Sequence, residues 1–495
     1  MTATLESDRR ADLARVLAAV PTGLLIDGQQ RGAADDAVVT VENPANRQPL
    51  LEIADAGEAD ALAAVRSAAA HQGSWATTAP RHRSGILARA AELLDRQQED
   101  LALLITAEMG KPLAEARGEV AYAAEFFRWF SEQAGHISGS YGLSADGGTR
   151  ILVSRRPVGP CLLITPWNFP LAMGARKIGP AIAAGCTMVF KPAPQTPLTS
   201  LALAQLLAEA GLPNGVLNVI ASSRAELITG SMMRTGALRK LSFTGSTEVG
   251  RILLRVAADT VMRTSMELGG NAPFIVFEDA DLDVAVEEAM VAKMRNMGQA
   301  CTAANRMYVH AAVATEFTAE LTRRMSGLVV GDGLQPETQV GPLIDAASQL
   351  KVRQFIDDAL DRGASVAGIG SVPDGAGYFC APTVLTDVQP GSVLSQAEIF
   401  GPVAAISTFT DESAVVAAAN DTEWGLVGYL ITENLDRALR VSEAMETGMV
   451  GINTGVVSNP SAPFGGVKQS GLGREGGAVG LEEYLELHYA AIPVR

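Results

Sequence analysis

Cysteine is scarce in this chain of 495 residues: Cys161, Cys186, Cys301 and Cys380 are scattered and form no C-x-x-C pair. That excludes a disulfide framework and suits a reducing compartment. Histidine is as thin, five residues without a cluster, so no metal centre is expected. Positive charge is also short, with Lys plus Arg at 39 against Asp plus Glu at 55, a net charge of −16. Such a surface repels phosphate backbones, which argues against a nucleic-acid partner, and an anionic ligand needs its own local cations or helix N-termini. No apolar run of about 18 residues occurs, so no membrane span is expected. The first residues, where Glu6, Asp8 and Asp12 offset Arg9, Arg10 and Arg15, resemble neither a signal peptide nor an acid-poor transit peptide. A soluble, cytoplasmic protein is the expectation.

What is present is a large apolar share, 47% against 19% charged, with 49 Gly and 24 Pro and no repeat or low-complexity linker. This length and composition suit two or three packed units. From Asp60 to Phe130 the apolar spacing is helical, for example Ile86, Leu87, Ala90, Leu93 and Leu94. A hairpin arm follows, with strand alternation over Thr149–Arg155 ending at Pro157. Apolar strands are then predicted at Gly159–Ile164, Thr187–Phe190, Val216–Ile220 and Leu241–Phe243, with helices at Leu198–Ala210, Ala225–Thr235 and Thr247–Ala258. The pattern restarts after Gly270 with a strand at Phe274–Phe277, a helix over Leu282–Met297 and a strand at Met307–His310. It runs on through Val403–Ser407, Val427–Ile431 and Val450–Asn453 to a strand-like tail at Tyr484–Ile492. Alternation of this kind predicts an α/β protein with two doubly wound open sheets and a ligand in the cleft between them.

Five short motifs carry chemistry. F-T-G-S-T-E-V-G, Phe243–Gly250, follows a strand and opens a helix, so a phosphate could meet backbone N–H groups and the helix dipole there; the same residues also suit an ordinary β–α turn capped by Thr244 or Ser246. T-P-W-N-F-P, Thr165–Pro170, fixes Asn168 in a proline-held loop at a strand end, as a neutral amide donor for an oxyanion or as a plain structural turn. K-P-A-P-Q-T-P, Lys191–Pro197, offers a lysine for ribose or a 2′-phosphate, or merely for solvent. In M-E-L-G-G-N, Met266–Asn271, the apolar neighbours of Glu267 favour a raised pKa, as a general base needs. G-Q-A-C-T-A-A-N-R, Gly298–Arg306, places Cys301 in an uncharged loop, where a lone cysteine is more often a small hydrophobe. No histidine flanks it to make a local Cys–His dyad.

Together and in this order, with E-I-F-G-P at Glu398–Pro402 and P-F-G-G at Pro463–Gly466, these motifs resemble the NAD(P)-dependent aldehyde dehydrogenase superfamily over about Asp60 to Tyr489. The resemblance implies that Cys301 is the nucleophile, that Asn168 and the Cys301 backbone N–H hold the oxyanion, and that Glu267 activates the hydrolytic water. It implies cofactor contacts at Trp167, Lys191, Gly245, Ser246, Leu268 and Glu398, and a proton-relay part for Glu475 and Lys177. It also implies a Rossmann-like NAD(P)-binding domain over 1–137 and 158–267, a catalytic domain over 268–480, and an oligomerisation arm over 138–157 and 481–495 that would join a homodimer or homotetramer.

Within the superfamily the stretches E-L-G-G-N-A-P-F-I-V-F, G-I-N-T-G-V-V-S-N and A-P-F-G-G-V-K-Q-S-G-L-G-R-E-G are similar to succinate-semialdehyde dehydrogenases. Arg176, Arg295 and Ser458 match positions that hold the carboxylate of a small anionic aldehyde, a task that suits the planar guanidinium fork. Two departures stand out. The position two residues after Cys301 is Ala303, so a disulfide switch there is unavailable, and the third residue after Lys191 is Pro194 instead of an acid that would repel a 2′-phosphate. NADP or NAD is the expected cofactor, with a lean to NADP. The alternatives are a dehydrogenase of glutarate or 2-oxoglutarate semialdehyde and, from another class, a cysteine hydrolase.

Overall fold

A computed structural model describes residues 2–495, with side chains from Arg9 onward, so Glu6 and Asp8 lie outside the described side chains. Its first sheet has eight strands in the order Gln29–Arg31, Leu24–Ile26, Leu217–Val219, Met188–Lys191, Cys161–Ile164, Lys240–Thr244, Arg263–Glu267 and Gly471–Leu472. The inner five are parallel, and antiparallel strands close both flanks. The central strands are buried at every position, which is why they read as continuous apolar runs instead of alternating. Cys161, Leu163, Met188 and Phe190 face one helical layer that includes Pro80–Arg96, Gln98–Met109, Leu113–Gln133 and Ala172–Ala184. Leu162, Ile164 and Val189 face the other, built by Glu58–Ala76, Ala225–Met233 and Thr247–Ala258.

The second sheet has seven strands in the order Ser365–Ile369, Thr383–Thr386, Val403–Phe409, Ala304–His310, Ala272–Val276, Val427–Ile431 and Met449–Ile452. Only Ser365–Ile369, at one edge, is antiparallel. A third, three-stranded sheet pairs Leu485–Pro493 with Thr149–Pro157 and that strand with Ser140–Leu143. It leaves Tyr141, Leu143, Leu487 and Tyr489 exposed. Among the described residues no helix is long and apolar enough to cross a membrane.

Three features depart from the sequence expectation. The helix predicted over Leu282–Met297 ends at Met294, because Asn296 and Met297 adopt left-handed backbone (φ 55° and 56°). Arg263–Glu267 is a strand with no apolar run to announce it. Gly471–Leu472 crosses back from the segment assigned to the second unit and hydrogen-bonds to Arg263–Glu267 in the first sheet.

Candidate active site

The parallel strands of the first sheet end at a cavity of about 240 Å³, where open α/β sheets place ligands. Loops after Cys161–Ile164, Lys240–Thr244 and Arg263–Glu267 contribute Trp167, Asn168, Gly245, Ser246 and Leu268. The facing wall brings Arg295, Cys301, Glu398 and Ser458, and Arg176 reaches in from the helix Ala172–Ala184. Of the residues singled out from sequence, Glu267, Lys191, Glu475 and Lys177 are not in the lining; all four are buried.

Cys301 sits at the end of the turn that replaces the last stretch of the predicted helix. Two successive non-glycine residues in left-handed backbone cost roughly 1–3 kcal/mol each and need outside support. Asn296 has it: its backbone N–H donates to Glu115 Oε2 at 2.6 Å, and its amide Nδ2 donates to the carbonyls of Gln299 (2.9 Å) and Asn168 (3.1 Å). A Cβ on Gly270 would stand 2.5 Å from the Cys301 carbonyl oxygen, so only glycine fits behind the Cys301 loop. Burial pushes the Cys301 thiol up to about 12, with Arg176 and Arg295 pulling the other way. At neutral pH the resting sulfur is a thiol, and it becomes nucleophilic only when its proton passes to a base.

Asn168 is held from both sides. Its Nδ2 donates to Gln299 O at 3.0 Å, and its backbone carbonyl accepts from Lys111 Nζ at 2.8 Å. Its Oδ1 is buried without a hydrogen-bond partner among the described residues.

Two buried carboxylates lie behind the cavity in opposite states. Burial, reinforced by the charge of Glu475, pushes Glu267 well above the usual carboxylate range, and both its oxygens lack a hydrogen-bond partner among the described residues. Burial opposes ionisation of Glu475 as well, but Arg176 and Lys177 outweigh it and hold that carboxyl low. Arg176 Nε lies 2.5 Å from Glu475 Oε2 and Lys177 Nζ 2.5 Å from Oε1. A neutral and an ionised carboxyl side by side is an arrangement that moves protons. The guanidinium of Arg176 also stacks on Phe464, 4.2 Å from the ring centroid. Arg295 forms no ion pair among the described residues and rests against the Phe169 ring at 5.0 Å.

At the other end of the cavity the Ser246 side chain caps the helix Thr247–Ala258 by accepting from Val249 N. Thr244 Oγ1 is buried without a hydrogen-bond partner among the described residues. A Cβ on Gly245 would stand 2.5 Å from the Phe243 ring. Among the described residues Lys191 donates only to Pro192 O, at 3.4 Å; burial pulls it down to about 8, against the attraction of Asp55. Glu398 accepts from Gly270 N at 3.3 Å, and burial pushes it up to about 7. Under-partnered hydroxyl, ammonium and carboxyl groups beside a helix N-terminus fit a ligand that carries both hydroxyls and phosphates.

Sequence reasoning missed a set of acids on the helices flanking the site, Glu108 and Glu119 buried and Glu115 half-buried. Glu108 accepts from Leu198 N and Thr199 N, Glu115 from Asn296 N, and Glu119 from Leu171 N and Ala172 N. Each carboxylate tethers one site loop or the helix that follows it. Spaced along a helical stretch, they look like ordinary solvent-facing charges, and only tertiary structure distinguishes them.

Comparison with known proteins bears on this site. Residues 31–490 match the model of the Aldehyde dehydrogenase family. A succinate-semialdehyde dehydrogenase of Paenarthrobacter nicotinovorans is 56% identical over 443 residues, 90% of this chain and 98% of the relative. A glutarate-semialdehyde dehydrogenase of Pseudomonas putida is 47% identical over 469 residues, 95% of this chain and 97% of the relative. A crystal structure described as an E. coli NADP dependent enzyme superposes with a TM-score of 0.95 at 46% identity, covering 97% of this chain and 99% of the other.

Proposed function

Because the chain belongs to the aldehyde dehydrogenase family, we propose that it oxidises succinate semialdehyde to succinate with NAD(P)+, using Cys301 as nucleophile. The observation that carries the substrate class is Arg295, a cation that rests on the Phe169 ring without an ion-pair partner among the described residues, lining the same small cavity as Cys301 and Ser458. An aldehyde with a carboxylate at its far end satisfies that charge, and a neutral aldehyde does not.

The chemistry follows from the side chains. The Cys301 thiol loses its proton to a base, and its sulfur adds to the carbonyl carbon. The Asn168 amide and the Cys301 backbone N–H receive the oxyanion so formed, as neutral donors aimed at charge that develops only during reaction. What NAD(P)+ supplies when bound is the two-electron acceptor that converting an aldehyde to an acid requires. The residues that would hold it are Trp167, Lys191, Gly245, Ser246, Leu268 and Glu398, the last on ribose hydroxyls. Burial keeps a proton on resting Glu267; once that proton has passed to the ionised Glu475 beside it, Glu267 takes a proton from water, and the hydroxide so formed releases the acyl group from Cys301. Glu475 and Lys177 pass that proton on from Glu267.

NADP+ is the favoured form, supported by the cation at Lys191, by Pro194 where an acid would repel the 2′-phosphate, and by the E. coli relative described as NADP dependent. The 1–137 and 158–267 segments form the cofactor domain and 268–480 the catalytic domain, apart from the strand Gly471–Leu472. The exposed apolar side chains of the three-stranded sheet support its role as the arm that joins a homodimer or homotetramer. The cytoplasm is the expected compartment. A second reading, glutarate semialdehyde as substrate, is favoured by the P. putida relative and differs by one methylene in cavity depth.

Steady-state rates for a series of ω-carboxy semialdehydes and propanal, each with NAD+ and NADP+, test this by the absorbance of reduced nicotinamide. Succinate semialdehyde should give the highest kcat/KM. Preference for propanal defeats the carboxylate reading, and acid formed without an absorbance rise indicates a hydrolase.

A further inference from the structure

The connection between the helices Gln98–Met109 and Leu113–Gln133 is only three residues long, Gly110, Lys111 and Pro112. Gly110 takes left-handed backbone (φ 96°), and a Cβ on Gly341 of the second unit would overlap the Gly110 carbonyl oxygen. The second unit therefore closes directly over this turn, and the turn cannot shift without moving it. Lys111 is completely buried here, a position that a lysine takes only when its charge is matched.

Its ammonium has three partners. Nζ lies 2.6 Å from Glu119 Oε2 and 2.8 Å from the Asn168 carbonyl oxygen, and it sits 3.9 Å from the Phe169 ring centroid. The second oxygen of Glu119 accepts from Leu171 N (2.9 Å) and Ala172 N (3.1 Å). One buried ion pair thus grips both ends of the segment 168–172, by the carbonyl of its first residue and the amides of its last two. That segment carries the Asn168 amide into the cavity and starts the helix that bears Arg176.

We infer that Lys111 and Glu119 are positioning residues that hold the Asn168 amide where the oxyanion develops. The inference rests on the oxyanion role of Asn168 proposed above. Neither residue lines the cavity, so neither touches substrate, and their effect on rate passes through Asn168. A donor of this kind acts over a few tenths of an ångström, and its loss commonly costs about 10²–10³ in kcat.

The test is a mutant cycle with succinate semialdehyde and NADP+ at saturation. The variant K111M/E119Q removes both charges and leaves neither buried alone. Placed on the wild-type background it should lower kcat at least tenfold while KM changes less than threefold. Placed on Asn168→Ala it should lower kcat less than twofold, because the group it positions is gone. Equal losses on the two backgrounds, or no loss on the first, overturn the inference, whereas a fully active Asn168→Ala enzyme overturns the oxyanion role instead. Should K111M/E119Q not fold, Glu119→Gln alone goes through the same cycle, since it keeps shape and an acceptor for the Leu171 and Ala172 amides. Restored kcat in Lys111→Arg, which keeps the charge, is the expected rescue.

Discussion

Arg176 is bound to Glu475, guanidinium Nε to carboxylate Oε2 at 2.5 Å, and the two arginines of the cavity are therefore not equivalent. Arg176 spends part of its charge on a buried carboxylate, whereas Arg295 spends none on an ion pair among the described residues.

Replacement of the two should separate binding from stability. Arg295→Ala should raise KM for succinate semialdehyde at least tenfold, the loss of a charge-assisted hydrogen bond of about 1.5–3 kcal/mol, and leave KM for propanal within twofold. Arg176→Ala should raise KM as well and also lower stability by about 3 kcal/mol, since it strips one of two cations from buried Glu475. Steady-state kinetics with both aldehydes and denaturant unfolding of each variant check this. Equal KM effects on the charged and neutral aldehydes contradict the assigned pocket.

Glu267→Gln should divide the reaction in two. Mixing enzyme, aldehyde and NADP+ should still give a rapid burst of reduced nicotinamide close to one equivalent per site. The following steady state should slow by about 10²–10⁴, the usual worth of a general base. Stopped-flow absorbance reads both phases, and an unchanged steady state removes Glu267 from hydrolysis.

Lys191 gives the cofactor preference a pH dependence. With the ammonium pulled down to about 8 by burial, the free enzyme carries this charge at pH 7 and has lost most of it at pH 9. The cationic form is the one that attracts a 2′-phosphate, so the ratio of kcat/KM for NADP+ to that for NAD+ should fall about tenfold between these pH values. Taking the ratio cancels groups that act on both cofactors. In Lys191→Met the ratio should be low and flat, and a flat ratio in the wild type detaches Lys191 from the phosphate.

The three-stranded sheet makes a prediction about assembly. Leu487 is 71% exposed and Leu143 59%, on strands that bound this sheet. The double variant L143K/L487K should shift the mass in light scattering toward the monomer without loss of helical circular dichroism. Unchanged mass points to another interface.

Much of the fold is legible in the sequence, for a physical reason. Cys161–Ile164 and Met188–Lys191 are covered on both faces, so they must be apolar throughout. Arg263–Glu267 escapes notice because Arg263 and Thr264 are only half-buried and Ser265 bonds to Lys240 of the neighbouring strand and to Glu483, which removes the apolar signal. The end of the helix after Leu282 is hidden in another way: the backbone N–H of Asn296 donates to Glu115, 181 residues earlier. The motif residues around the cavity stand out because the chemistry restricts their type and spacing. Lys111, Glu119 and the union of Lys177 with Glu475, 298 residues away, stand out only when the chain is folded.

The strand Gly471–Leu472 bears on how the enzyme is made. Its pairing with Met266 and Glu267 joins parts of the chain that leave the ribosome roughly 10–40 s apart at ordinary rates of synthesis. Until then the strand carrying Glu267 is an open edge on a nascent chain that already contains Cys301. A polypeptide released early, before Gly471, contains Cys301 and lacks the strand that pairs with Glu267. Completion of the first sheet thus waits on synthesis of Gly471 and Leu472, well after its other strands have emerged.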